Sequence, residues 1–158
     1  MSKNPAKIKK GGHYKQGNYK PINPQKYIGD PKNIPYRSGL EFRVCHKLDR
    51  AEYVVGWAIE PFAINYISPK DGLPHRYFID FITVTLNPDG SKNVTLIEVK
   101  PYSQTIPPKY KGKKKSRYLK EALTYEVNQA KWQYARAYCE KKGWNFVIMT
   151  EQEILGKK

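Results

Sequence analysis

The chain has 158 residues, 39% of them hydrophobic, and sets 29 Lys and Arg against 14 Asp and Glu for a formal charge of +15. That length suits one domain whose core folds without disulfide or metal staples, and no run approaches the ~20 apolar residues of a membrane helix. The opening MSKNPAKIKKGGHYK lacks the apolar stretch of a signal peptide, so neither membrane insertion nor secretion is expected, and the charge calls for a polyanionic partner, nucleic acid first.

In chain order, residues 1–37 carry eight lysines and Arg37 against Asp30, with five prolines and four glycines. Such a stretch is expected to bury no core and to form an irregular basic arm, with Lys9 and Lys10 among its contacts to the polyanion. Ser38 and Glu41 form the S-x-x-E pattern of a capping box, which predicts a helix through about Arg50 with Leu40, Val44 and Leu48 facing inward. Strands rich in Val, Ile, Tyr, Phe and Thr are predicted at about 52–58, 62–67, 77–86 and 93–100. The segment KYKGKKKSRYLK, residues 109–120, then holds seven basic residues and no acid. A long helix is predicted over about 118–142, with Val127, Ala130, Tyr134 and Ala137 on its inner face and Gly143 as its stop. WNFVIM, residues 144–149, reads as a last strand, and Thr150 with Glu153 as a second capping box opening a terminal turn. The order α-β-β-β-β-α-β predicts an α/β sandwich with a mixed central sheet flanked by helices, and no internal repeat is visible.

Several chemistries find no support. Cys45 and Cys139 have neither metal-ligand spacing nor the look of a disulfide framework, and are expected to be small packed side chains. His13, His46 and His75 are too scattered for a zinc site; His75, near a strand start, is expected at the surface. No phosphate-binding G-x-x-x-x-G-K-[ST] loop exists, so ATP use is not expected. Trp57, Trp132 and Trp144 are expected in the core.

The informative stretch is LIEVKPYSQTIPP, residues 96–108. Strand side chains alternate faces, so Glu98 and Lys100 point one way, Ile97 and Val99 the other. Upstream, NPDGS at 87–91 fits a three-residue hairpin loop, a type I turn closed by a left-handed glycine. If Asn87 pairs with Ser91, paired positions sum to 178. Val84 then faces Val94, Ile82 faces Leu96 and Asp80 faces Glu98, with Phe78 opposite Lys100. Two opposed carboxylates ~5 Å apart at Cβ repel. One resolution is that one acid is protonated or pairs with Lys100. Another is a divalent cation such as Mg²⁺, which takes one or two carboxylates plus water and phosphate oxygens. Two acids, a cation site and a lysine between basic segments fit phosphodiester hydrolysis. Lys113, Lys114, Lys115 and Arg117 are the candidate backbone-phosphate contacts.

Glu41, RYFIDF with Asp80, and IEVK with Glu98 and Lys100 together resemble the PD-(D/E)XK nuclease superfamily, with its restriction-endonuclease-like core. The longer pattern HRYFIDF, LIEVKPYSQTIPP and QAKWQYARAYCEKKGWNFVIMTEQEI, over roughly 36–155, is similar to the head completion nucleases of large tailed bacteriophages, and more distantly to the endonuclease subunit of Tn7-type transposases. Composition sets off the basic arm at 1–37, and the resemblance implies a nuclease domain after it, at 38–158. It also implies a Mg²⁺-dependent DNA endonuclease, with Mn²⁺ as a substitute, acting on packaged double-stranded DNA while the capsid neck is finished. Asp80 and Glu98 would hold metal, Glu41 would support the metal or its water besides capping its helix, and Lys100 would assist the nucleophile. The implied partners are DNA and capsid or neck proteins, in the virion or host cytoplasm. Two rival readings stay open: a DNA-binding neck protein that does not cut, and a junction resolvase or transposase subunit. One departure is Ile79, where the family often carries proline; by strand alternation it faces away from the site. Gln129, on the helix after the motif, has a spacing to Tyr134 that fits no usable pattern.

Overall fold

A computed structural model describes residues 16–112 and 114–156. Its centre is a four-stranded sheet built from β3 (Val54–Ile59), β6 (Phe81–Leu86), β7 (Lys92–Val99) and β8 (Asn145–Met149), which lie side by side in the order β3-β6-β7-β8. β6 is antiparallel to both β3 and β7, whereas β8 lies parallel to β7. The sheet is therefore mixed, as expected from the sequence. Helix α1 (Gly39–Arg50) covers one face and the long α2 (Lys115–Lys142) the other. Successive β7 residues divide between the two faces: Ile97 joins Val44, Leu48, Trp57 and Phe81 in the α1-side core, while Leu96 joins Trp132, Ala135 and Cys139 in the α2-side core. No described helix is long and apolar enough to cross a membrane.

The local signals act as their chemistry requires. Ser38 Oγ accepts the Glu41 N–H at 3.1 Å and starts α1, but the Glu41 carboxylate reaches back to the Arg37 N–H at 2.7 Å, one residue beyond the position a reciprocal capping box uses. Gly143 ends α2 at φ 72°, a left-handed conformation that costs glycine nothing. Thr150 and Glu153 form the full reciprocal box that opens α3 (Glu151–Ile154). In the hairpin, Asn87 N–H donates to Ser91 O at 2.8 Å and Gly90 stands at φ 88°. The ladder from Leu86↔Lys92 to Phe81↔Ile97 keeps every pair summing to 178, which is the predicted register.

Three expectations need correction. First, the predicted strand 77–86 is two strands in two sheets. β5 (Pro74–Phe78) pairs with β4 (Ala63–Ile67), and only after Ile79 and Asp80 does the chain enter β6. Ile79 packs in the α2-side core with Tyr77, whereas Phe81, two residues on, packs in the α1-side core. The chain twists at Asp80, so alternation fails there and Ile79 does not face away from the α2 side. Phe78 consequently pairs with Ala63, and the Lys100 N–H donates to Met149 O; the two are not opposed. Second, the inner face of α2 carries Asn128, Trp132, Ala135 and Cys139. Val127 and Ala130 flank that face, and Tyr134 and Ala137 are exposed. The large Trp132 sets the rotation, because burying it removes far more apolar area than burying an alanine.

Third, the second half of the basic arm belongs to the core. Residues 17–18 and 35–36 pair as β1 (Gly17–Asn18) and β2 (Pro35–Tyr36), and Tyr19 and Ile34 are buried against Trp57 and α1. The anchor is Asp49, fully buried in the last turn of α1. It accepts hydrogen bonds from Tyr19 OH at 2.8 Å, Ile22 N–H at 2.7 Å and Asn23 N–H at 2.9 Å. Lys26 donates to the Asp49 and Ala51 carbonyls, both at 2.7 Å, which closes the C-terminal end of α1. Burial alone would raise the Asp49 pKa; these donors and Lys26 outweigh it and hold the carboxyl below its ordinary range. Tyrosine-rich and proline-rich composition hid a segment that folds because one buried carboxylate collects its polar groups.

Candidate nuclease site

Asp80 lies one step past the Phe81↔Ile97 pair, which places it beside Glu98 at the end of β7. Its Oδ2 accepts the Val99 N–H at 2.8 Å, fixing the carboxylate across the sheet end. Glu98 is buried at 5% exposure. One of its oxygens accepts the Tyr77 hydroxyl in a short hydrogen bond, and the other faces the Lys100 ammonium at 3.5 Å. Burial first, and the neighbouring Glu98 second, push the Asp80 pKa well above the ordinary aspartate range; a hydrogen bond between the two carboxyl groups adds to it. The opposed pair thus makes ionisation of Asp80 costly, as the predicted register implied.

Two further acids surround the pair. The Glu41 pKa is raised by burial, moderated by the Arg37 N–H, and raised further by Glu60 and Glu98. Glu60 carries φ 44°, a left-handed conformation unusual for a side-chain-bearing residue. Its N–H donates to the Asp80 carbonyl at 2.8 Å, and its carboxylate meets Arg37 at 3.4 Å. Backbone strain therefore sits directly against the first motif acid. Among the described residues no group of three or more His, Cys, Asp or Glu converges to hold a metal ion. Glu41 is not grouped with Asp80 and Glu98 as one ligand set, and its Oε2 accepts the Arg37 N–H. The donor set still fits a divalent ion. Asp80 and Glu98 are neighbouring hard carboxylates whose repulsion such an ion would offset, with water and phosphate oxygens completing its shell.

A second cation stands at the site, unforeseen from the sequence. Lys131, on α2, places its ammonium 5.8 Å from the ring centres of both Tyr66 and Tyr77. Burial, then the charge of Lys100, lower its pKa, while Glu98 and Asp80 pull the other way. Tyr77 is the other missed residue: it secures Glu98 and forms one wall for Lys131, and its own hydroxyl pKa is driven up by burial and by Glu98. A helix period places Lys131 beside the predicted inner face, but only tertiary packing brings α2 against β5 and β7. Gln129, two residues before Lys131 on α2, is half-buried.

Of the predicted phosphate contacts, Lys114, Lys115 and Arg117 are exposed at the start of α2, Arg117 pairing with Glu121 at 3.2 Å. Lys113, Lys9 and Lys10 lie outside the described residues. The first turn of α2 has no acid and no side-chain cap, so basic residues crowd the positive end of a helix dipole. His75 is exposed and bonded to Asp71 at 2.8 Å. Cys45 and Cys139 are buried and free, and Trp57 and Trp132 are core residues.

Comparison with known proteins gives the chain's family. The head completion nuclease of Enterobacteria phage T4 is 36% identical over 142 residues, which cover 87% of this chain and 92% of that protein. Residues 51–151, the stretch holding Asp80, Glu98, Lys100 and Lys131, match the family described as TnsA-like endonuclease N terminal. With its split strand and the carboxylate pair at the break, this chain belongs to the TnsA-like endonuclease N-terminal family.

Proposed function

We propose that this chain is a divalent-metal-dependent endonuclease that hydrolyses phosphodiester bonds of double-stranded DNA during head completion of a tailed phage. The observation that carries the reading is the half-buried Asp80 beside the buried Glu98, with Lys100 next to them, on a chain of net charge +15. Buried like charges oppose folding, and their retention at the mouth of a basic surface is accounted for by chemistry rather than by stability. Mg²⁺, or Mn²⁺ in its place, supplies Lewis-acid neutralisation of the phosphodiester when held by Asp80 and Glu98.

The chain's own groups do the rest. Val99 N–H and Tyr77 OH fix the two carboxylates before substrate arrives, so no reorganisation is needed at the moment of reaction. Lys100 orients the attacking water and meets the charge that grows on the phosphoryl oxygens. Lys131, walled by two tyrosine rings, faces the same charge from the α2 side. Glu41 supports the site electrostatically from the start of α1. Lys114, Lys115 and Arg117 place phosphate at the unneutralised N-terminus of α2, and Lys113, Lys9 and Lys10 extend the track. The name of the phage relative motivates a capsid or neck protein as second partner, in the virion or the host cytoplasm.

The test is incubation of supercoiled and linear DNA with the purified protein, with EDTA, Mg²⁺ or Mn²⁺. Nicking or linearisation only with added metal, lost in Asp80→Asn, is expected. Equal cutting by Asp80→Asn, or none by the unaltered protein with either ion, would overturn the proposal.

A further inference from the structure

A cavity of about 720 Å³ lies between the loop that follows Lys100 and the first half of α2. Its size falls in the range of ligand pockets, and it is half-open to solvent. At its lining stands Asn128, only 6% exposed, whose side-chain amide has no hydrogen-bond partner among the described residues. Among the described residues the sealed side-chain atoms without a partner are Trp57 Nε1 and Trp132 Nε1, so the Asn128 amide, with its two donors and acceptor, is accessible from the cavity rather than sealed. The other lining groups divide by chemistry. Ile106 and Tyr125 offer apolar and aromatic surface, and Lys109, Lys111 and Lys120 offer ammonium groups. Glu121 also lines the cavity, but Arg117 holds it at 3.2 Å. Asn128 is three residues before Lys131, so they are neighbours on α2, and the lining loop residues begin at Ser103, three after Lys100. The cavity is therefore bounded by the loop that leaves Lys100 and by the helix that carries Lys131.

Resting on the nuclease reading, we infer that this cavity is a nucleotide pocket: it receives one unstacked nucleotide of the strand next to the scissile bond, with Asn128 on the base edge. An aromatic wall for the base plane, an amide for its edge and cations for the flanking phosphates are the parts a flipped or single-stranded nucleotide needs. A fully paired duplex, which keeps its bases stacked, has nothing to place there. The substrate class that follows is DNA with an unpaired nucleotide near the cut.

The experiment measures binding without added metal and cutting with it. Labelled duplexes of one sequence, fully paired or with a single unpaired nucleotide, are titrated in EDTA. The unaltered protein is expected to bind the unpaired form at least about tenfold more tightly. Asn128→Ala should bring that ratio close to one while leaving affinity for the paired duplex within about twofold. Should Asn128→Ala fail to fold, Tyr125→Ala must give the same loss. Equal affinity for both duplexes, or a preference that survives a folded Asn128→Ala, overturns the pocket. Cleavage assays on the same duplexes separate the two ideas: discrimination without cutting in Mg²⁺ or Mn²⁺ sinks the nuclease reading and keeps the pocket, whereas cutting without discrimination does the reverse.

Discussion

Replacing Asp80 by Asn should abolish cutting and at the same time stabilise the metal-free protein. The carboxylate sits beside buried Glu98, and its pKa is raised by burial and by that neighbour. An asparagine keeps the carbonyl oxygen that accepts the Val99 N–H at 2.8 Å, so the substitution removes the charge and little else. Like charges directly opposed across strands cost about 0.2–1 kcal/mol. For a chain of this size each kcal/mol moves the melting temperature by about 2–4 °C, so Tm should rise by up to about 4 °C in EDTA. The pH dependence has a definite sign. A carboxyl with a raised native pKa binds protons more tightly folded than unfolded, so its share of the stability falls as pH climbs from the ordinary aspartate range through the native value. The Tm advantage of Asp80→Asn should therefore be small in acid, grow across that window and level off above it. Differential scanning calorimetry of both proteins in EDTA from pH 4 to 8 (roughly the window of carboxyl titration) measures this. A Tm lower in the variant by many degrees at neutral pH, or an advantage that shrinks as pH rises, would show that Asp80 is a structural acid and would refute the argument.

Lys100→Ala should lower the rate of Mg²⁺-dependent cleavage by about 10²-fold or more with DNA affinity nearly unchanged, the usual signature of a group that acts on transition-state charge. Lys131→Met should also lower the rate, and single-turnover kinetics across pH should show an altered profile, which a merely structural side chain would not produce. Asp49→Ala should cost about 3–5 kcal/mol in urea unfolding, because it strands Tyr19 OH and two backbone N–H groups. Asp49's own contribution, from a lowered pKa, is present above the ordinary aspartate range and lost as pH falls through the native value. Removing residues 1–15, which hold five lysines, should leave the fold intact and flatten the log–log salt slope of DNA affinity by about 0.9 for each phosphate no longer neutralised. Removing residues 1–35 should unfold the protein by circular dichroism, since Tyr19 and Ile34 leave the core.

What the sequence by itself determined were features set by neighbours along the chain or across one tight turn. Ser38 and Thr150 start helices because their side chains reach N–H groups two or three residues away. NPDGS fixes the register because its loop length leaves one pairing, and that register put Asp80 beside Glu98. Long-range association was not written in any local pattern. The break between β5 and β6 follows from the competition of β4 and β3 for adjacent pieces of one apolar run. Residues 16–37 look too polar to fold, yet they close on Asp49, whose burial depends on a segment more than twenty residues away. The rotation of α2, which turns Trp132 inward, brings Lys131 to the carboxylates and leaves Asn128 at the cavity lining, was decided by the shape of the sheet face it covers. Helical periodicity proposes several faces of nearly equal merit, and only packing against a particular partner selects one.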